Sequence, residues 1–271
     1  MINRRNLLLT AGAAVFAGAR FAPRALAAGD TWSPLPSGSR TAINGVRFEA
    51  ECGPNPTALQ VSRSGVYRAC LIPDNGWSED DPRYVERAEL DGWKAQTDAN
   101  QELWSAWSMY YEKGPWSTSD WCILHQLYQI DGSTMAHILK PNGVLHWLGA
   151  DAAQKGSGWP TRHHQVIEQD TWLNFVEVVR FDPEQGKGYW KSWVNGQQVL
   201  EYRGALGTKG VKTCYPKFGI YRGKTEAWKP GGPGPVKETI AVRYANMRFG
   251  TEDLSALIAK PDPIPSWEPW S

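Results

Sequence analysis

The sequence predicts an all-β protein, a β-jelly-roll sandwich of two antiparallel sheets with an open concave groove. Three observations carry this. The chain holds 27 Gly, 19 Pro and 15 Trp in 271 residues, a mixture that favours turns and strands over long helices. Short strand-like runs recur along it, separated by Gly, Pro, Asn and Asp turns. No segment carries a long apolar stripe of 3.6-residue period, so helix is expected only as a short piece near Leu254–Ile258.

In chain order, residues 28–45 are rich in Ser, Pro and Gly and read as an extended leading segment. Strands are then expected at Val46–Cys52, Gly65–Ile72, Tyr84–Asp91, Leu103–Tyr111, Trp121–Ile130, Met135–Lys140, Val144–Leu148, Thr171–Phe181, Gly188–Val194, Gln198–Tyr202, Lys217–Arg222 and Thr239–Gly250. Asn142-Gly143 and Asn195-Gly196 are the clearest hairpin signals. So many short strands in one chain imply two packed sheets. The lack of an internal repeat argues against a propeller or solenoid. Pro261–Ser271, with four Pro and two Trp, is expected to strap over the single domain of residues 28–271.

Residues 1–27 read as an export signal. Arg4-Arg5 precedes an apolar run from Leu7 to Ala19, and Ala25-Leu26-Ala27 gives the small-x-small cleavage pattern. The paired arginines resemble a twin-arginine signal, although Asn3 and Leu7 stand where Ser or Thr and Phe are usual. The expected location is periplasmic or secreted, with no membrane attachment after signal removal. The mature chain keeps 25 basic against 28 acidic residues, which gives no footprint for nucleic acid. In an oxidising compartment the four cysteines could pair, with Cys52–Cys70 the first pairing to try, since their segments read as neighbouring strands. No CxxC or CxxH spacing suggests zinc.

Three strand-like segments carry polar side chains where a sandwich core would want apolar ones: Glu86-Arg87-Ala88-Glu89-Leu90, Leu124-His125-Gln126-Leu127-Tyr128 and Tyr215 through Arg222. Alternation puts Arg87 and Glu89 on one face, Gln126 and Tyr128 on one face, and Tyr215, Lys217, Gly219 and Tyr221 on one face, with Phe218 and Ile220 turned inward. A sheet face bearing Arg, Gln, Tyr and Lys suits an extended anionic ligand.

At these residues the chain resembles the jelly-roll polysaccharide lyases, which include alginate lyases, glucuronan lyases and heparin lyase I. Arg87-Ala88-Glu89-Leu90, Gln126-Leu127-Tyr128 and Tyr215-Pro216-Lys217-Phe218-Gly219-Ile220-Tyr221 resemble the alginate-lyase signatures Arg-Thr-Glu-Leu, Gln-Ile/Val-His and Tyr-Phe-Lys-Ala-Gly-Ile/Val-Tyr, in the same order. Lys217 through Arg222 and Gly188 through Gly196 are nearer the heparin-lyase and glucuronan-lyase type. The resemblance implies β-elimination on a uronic-acid polysaccharide, glucuronan or alginate, by a monomer needing no cofactor, with a structural calcium left open. It implies that Arg87 and Gln126 neutralise the uronate carboxylate and that Tyr221 donates a proton to the leaving oxygen and also serves as base. Donors aimed at the developing enediolate are each worth roughly 3–4 kcal/mol, and a placed acid or base about 10²–10⁴-fold. A tyrosine, with an ordinary pKa near 10, needs a cation to act as base. Lys217 lies four strand residues from Tyr221, roughly 13 Å, so that cation is expected to be Arg87, and Lys217 goes to a neighbouring sugar subsite.

One departure stands out: Tyr128 replaces the histidine of the Gln-x-His signature. Three explanations stand. Tyr128 takes over the catalytic role, a histidine from elsewhere (His146, His163 or His164) enters the groove, or the site has changed substrate or lost activity. His125 has the wrong parity to join Gln126 unless a bulge flips it. Candidate sugar-binding residues are Lys217, Tyr215, Glu89 (also orienting Arg87), Arg222, His125, His164 and Trp193; Trp104 and Trp147 are further stacking candidates. No metal site is assigned, and Glu79-Asp80-Asp81 reads as a solvated loop rather than a calcium site. The rival readings are a non-catalytic carbohydrate-binding protein on the same groove and a sandwich glycoside hydrolase. The latter needs two carboxylates about 5–9.5 Å apart, and only Glu89 is expected on the active face.

Overall fold

A computed structural model describes residues 32–53, 55–72, 85–93, 97–98, 101–119, 121–129, 135–150, 160–223 and 238–265. In chain order the strands are β1 Ser33–Pro34, β2 Arg40–Ile43, β3 Val46–Cys52, β4 Leu59–Val61, β5 Tyr67–Leu71, β6 Val85–Asp91, β7 Thr97–Asp98, β8 Leu103–Tyr111 and β9 Cys122–Tyr128. They continue with β10 Met135–Leu139, β11 Val144–Gly149, β12 Thr161–Val166, β13 Trp172–Arg180, β14 Gly188–Val194, β15 Gln197–Gly204, β16 Thr213–Gly223 and β17 Ile240–Gly250, followed by one helical turn, α1 Ala256–Ala259.

The strands form two antiparallel sheets. The first runs β1-β4-β5-β17-β8-β13-β14-β15 and the second β12-β11-β10-β9-β16-β6-β3-β2, with β7 paired to the start of β16. Inward residues follow the two-residue period: Leu103, Trp107, Met109 and Tyr111 of β8 and Phe175 and Val179 of β13 meet Phe48 and Ala50 of β3, Ala88 and Leu90 of β6 and Phe218 and Ile220 of β16. Trp107 stacks on Phe175 with ring centroids 4.8 Å apart. Across the core, the Tyr244 hydroxyl of β17 lies 2.8 Å from the Gly219 carbonyl oxygen and 2.7 Å from that of Leu124. The first sheet thereby fixes the part of β9 and β16 that carries the polar segments.

The jelly-roll sandwich is the fold expected, and all twelve anticipated strands recur within four residues of their expected bounds. The Asn195-Gly196 turn has φ of 50° and 80°, the geometry of a tight hairpin. Residues 161–166, which are not among the expected strands, form β12. They lack an apolar alternation because β12 is an edge strand, mostly exposed and paired only with β11.

The cysteine pairing is corrected. All four cysteines are free, and Cys52 on β3 and Cys70 on β5 belong to different sheets. Cys122 pairs in register with Arg222, eight residues along β16 from Cys214. No described helix is long and apolar enough to cross a membrane. The expected export signal and the Glu79-Asp80-Asp81 cluster lie outside the described residues.

Candidate active site

The second sheet turns one face to the core and the other away from it, and alternate residues of the three polar segments lie on that other face. On β6 this puts Arg87, Glu89 and Asp91 beside Tyr221, Gly219 and Lys217 of β16, their register partners. On the far side of β16, Gln126 pairs with Lys217 and Tyr128 with Tyr215. Glu51 on β3 pairs with Glu89 and completes the group.

These side chains form one connected network. Gln126 Nε2 donates to Glu89 Oε1 at 2.9 Å, and Arg87 Nε lies 3.2 Å from Glu89 Oε2. One buried carboxylate therefore positions both residues expected to hold a uronate. The Arg87 guanidinium sits over the Tyr221 ring, 4.4 Å from its centroid. Lys217 Nζ is 2.5 Å from Asp91 Oδ2, 2.9 Å from Glu51 Oε2, and over the Tyr128 and Tyr215 rings at 5.2 and 5.9 Å. Glu51 Oε1 also pairs with Arg87 Nη1. Burial, reinforced by Asp91, pushes the Tyr215 hydroxyl up to about 12, which keeps it a neutral hydrogen-bonding group.

Gly219 makes the arrangement possible. At φ 144° it stands opposite Glu89, and a Cβ there would lie 2.1 Å from the Ala88 carbonyl oxygen and 2.6 Å from Glu89 Cα. The missing side chain lets the backbones of β6 and β16 approach closely where Glu89 faces Gly219.

Register decides which candidates share a reaction centre. Arg87, Tyr221, Ile123, Ile138, His146 and His164 form one row across the sheet. At about 4.8 Å per strand, His146 is roughly 14 Å from Tyr221 and His164 roughly 19 Å. Between them lies an apolar patch of Ile123, Ala136, Ile138 and Leu148, against which Trp121 and Tyr221 pack. Tyr128, opposite Tyr215, is six strand residues, roughly 20 Å, from the level of Tyr221. Tyr128 and these two histidines thus stand well away from Tyr221.

Four further expectations are corrected. His125 lies in the core: its ring is 4.4 Å from Phe218 and 4.2 Å from Trp107, and its Nδ1 is 2.8 Å from the Lys217 carbonyl oxygen. The register of β9 does shift beside it, but the shift turns Leu124 inward and leaves His125 inside. Burial, with His137 nearby, pushes His125 down to about 3. Arg222 is fully buried, paired with Glu86 Oε2 at 2.5 Å and Glu238 Oε1 at 3.2 Å, so it braces the end of the sheet and cannot meet a sugar. Trp193 belongs to the first sheet, on its face away from the core, where with Trp104, Tyr189, Lys191 and Arg203 it lines a separate cleft of about 320 Å³. Trp147 is wholly buried, its Nε1 donating to Glu177 and Ser192.

Sequence reasoning missed Glu51 and Asp91. Alternation already aligned Glu51 away from Phe48 and Ala50, and Asp91 with Arg87 and Glu89, but only the order β3-β6-β16 shows that they meet the two cations. The expectation that Glu89 was the one acid on this face is thereby corrected. Among the described residues, no group of three or more His, Cys, Asp or Glu is arranged to hold a metal.

A model of the polysaccharide lyase family matches residues 56–239. No curated protein matches the sequence. Among solved structures, the endo-β-1,4-glucuronan lyase of the fungus Trichoderma reesei is similar with a TM-score of 0.53 at 13% identity, over 82% of this chain and 95% of that one. The alginate lyase Aly36B has a TM-score of 0.55 at 13% identity over 74% and 86%, and the family 7 alginate lyase A1-II′ one of 0.51 at 13% over 81% and 93%. At such identity the structures attest the fold, while the family match, which spans most of the sandwich, attests the lineage: the chain belongs to the polysaccharide lyase family.

Proposed function

We propose that this lyase cleaves a uronic-acid polysaccharide, glucuronan or the mannuronate stretches of alginate, by syn β-elimination with Tyr221 as both base and acid. The observation that carries the reading is that Glu89 holds Arg87 and Gln126 together while Arg87 covers the Tyr221 ring. The two carboxylate-binding groups and the proton carrier thus converge on one place.

In the proposed step the uronate carboxylate rests against Arg87 and Gln126. The Tyr221 phenolate takes the C5 proton, the C5 electron pair forms the C4=C5 double bond, and the C4–O4 bond breaks with its pair leaving on O4. The phenol formed returns the proton to O4, so Tyr221 ends as it began. Charge builds on the carboxylate as an enediolate, where fixed donors are worth most. All five histidines of the chain lie within the described residues, and none reaches Tyr221: His125 and His137 are in the core, His163 packs on Trp147 with ring centroids 5.0 Å apart, and His146 and His164 are strands away. A single proton carrier suits sugars with H5 and O4 on the same side of the ring, as in D-glucuronate and D-mannuronate. L-guluronate, inverted at C5, presents them on opposite sides.

Lys217, Tyr215 and Tyr128 then form a neighbouring subsite along β16, and the apolar patch leading to His146 and His164 lies across the strands from Tyr221, on the side away from Arg87. The solved lyases named above act on glucuronan and alginate, which supports the substrate class. We further propose export by the Arg4-Arg5 signal and action as a monomer. The test is a comparison of polyglucuronate, polymannuronate and polyguluronate, followed by the ultraviolet absorbance of the unsaturated uronate: a rise with either of the first two and none with polyguluronate is expected. A rise with polyguluronate alone would refute the single-tyrosine mechanism.

A further inference from the structure

Resting on the uronate reading, we infer that Glu51 occupies the place of the substrate carboxylate in the free protein and must be displaced for substrate to bind. Within this network Arg87 and Lys217 are opposed by Glu51, Glu89 and Asp91, three acids to two cations, while the neighbouring Glu49 has its own cation in Arg40. A bound uronate adds another negative charge to the same two cations. Like charges brought together at a desolvated contact weaken binding steeply, so one of the resident acids has to give way.

The geometry singles out Glu51. Glu89 and Asp91 are set into the sheet, with side chains 2% and 12% exposed, whereas that of Glu51 is 35% exposed. Glu89 is also tied by Gln126, and Asp91 accepts from the Trp93 backbone N–H at 2.8 Å. Glu51 alone spans both cations, one oxygen on Arg87 and the other 2.9 Å from Lys217 Nζ. It stands directly opposite Glu89 on the neighbouring strand, a pairing of like charges that is unfavourable unless cations bridge it, as Arg87 and Lys217 do. When a uronate takes over the outer side of these cations, Glu51 swings toward solvent and its repulsion from Glu89 falls. Glu51 is thus a positioning residue that sets affinity and excludes sugars lacking a carboxylate to exchange for its own.

The test uses the full chain with Tyr221→Phe, so that oligosaccharides bind uncut, with and without Glu51→Gln. Calorimetry with oligoglucuronate, oligomannuronate and a neutral β-1,4-glucan oligomer of equal length should show uronate affinity rising about tenfold with Glu51→Gln and no change for the neutral oligomer. In the catalytically intact protein KM should fall by a similar factor with kcat little altered. Glu51→Ala should behave likewise, which guards against an effect peculiar to glutamine, and unchanged melting curves would exclude a folding effect. Unchanged or weaker uronate binding in both Glu51 variants, with Tyr221→Phe still binding, would overturn this inference alone and make Glu51 a brace for Arg87 and Lys217. No uronate binding in any variant would overturn the uronate reading and this inference with it.

Discussion

The Arg87 guanidinium lies over the ring of Tyr221, 4.4 Å from its centroid, across adjacent strands in direct register. Glu89 holds Arg87 from one side and Gln126 from the other. The arrangement joins the group that moves the proton to the groups that bear the charge. Tyr221→Phe should therefore lower kcat by at least about 10²-fold while oligouronate binding stays within about twofold. A non-catalytic binding protein would lose nothing measurable on the same change.

Arg222 makes the opposite prediction to Arg87. It is wholly buried between Glu86 and Glu238, so Arg222→Met leaves two acids without their cation and should cost about 3–5 kcal/mol of stability. Denaturant melts should show this loss, and the protein that remains folded should keep the kcat/KM of the parent. Arg87→Met also leaves a buried acid, Glu89, without its cation, so it should cost stability too, but unlike Arg222→Met it should bring a large drop in kcat/KM in the protein that remains folded.

Gly219 is a geometric requirement. Its φ of 144° and the 2.1 Å approach that a Cβ would make to the Ala88 carbonyl mean that Gly219→Ala must push β6 from β16. We expect a loss of about 3 kcal/mol and a raised KM, because the displaced strand carries Glu89 and Arg87. Unchanged melting and kinetics would show that the sheet yields there more easily than its packing implies.

His125 predicts an acid limb in stability. Burial holds it down to about 3 in the folded chain, against about 6.5 when unfolded. Between those values the unfolded chain binds a proton that the folded chain refuses, so stability falls as pH drops below about 6.5, by up to ~1.4 kcal/mol per pH unit, and is unaffected by this group above pH 7. His125→Phe, which keeps the stacked ring but gives up the contact with the Lys217 carbonyl, should start less stable and show a shallower acid limb in urea titrations between about pH 7 and pH 4. Equal slopes would place the acid sensitivity elsewhere.

The sandwich was legible because alternation and turn residues mark strands locally: Val46–Cys52, Leu103–Tyr111 and Gly188–Val194 fall at their expected bounds. Strands without an apolar face, such as Thr161–Val166, were not legible, since their pairing alone defines them. The shared face of Arg87, Glu89, Gln126, Lys217 and Tyr221 could be read strand by strand. Which strands adjoin could not. That left the bridging role of Glu51 unseen, allowed Tyr128 a place beside Tyr221, and counted Trp193, which lies on the other sheet, among the sugar-binding candidates. Arg222 shows a further limit, because a charged residue at an inward position looks like a ligand-binding group until its buried partners, distant in sequence, are known.

The most direct test of the central claim follows the ultraviolet absorbance of unsaturated uronate with the protein and its Tyr221→Phe variant on polyglucuronate and polymannuronate. The account predicts a steady rise with at least one of these for the parent protein and a flat trace for the variant. A rise of equal rate with Tyr221→Phe would remove Tyr221 from the chemistry and contradict the account.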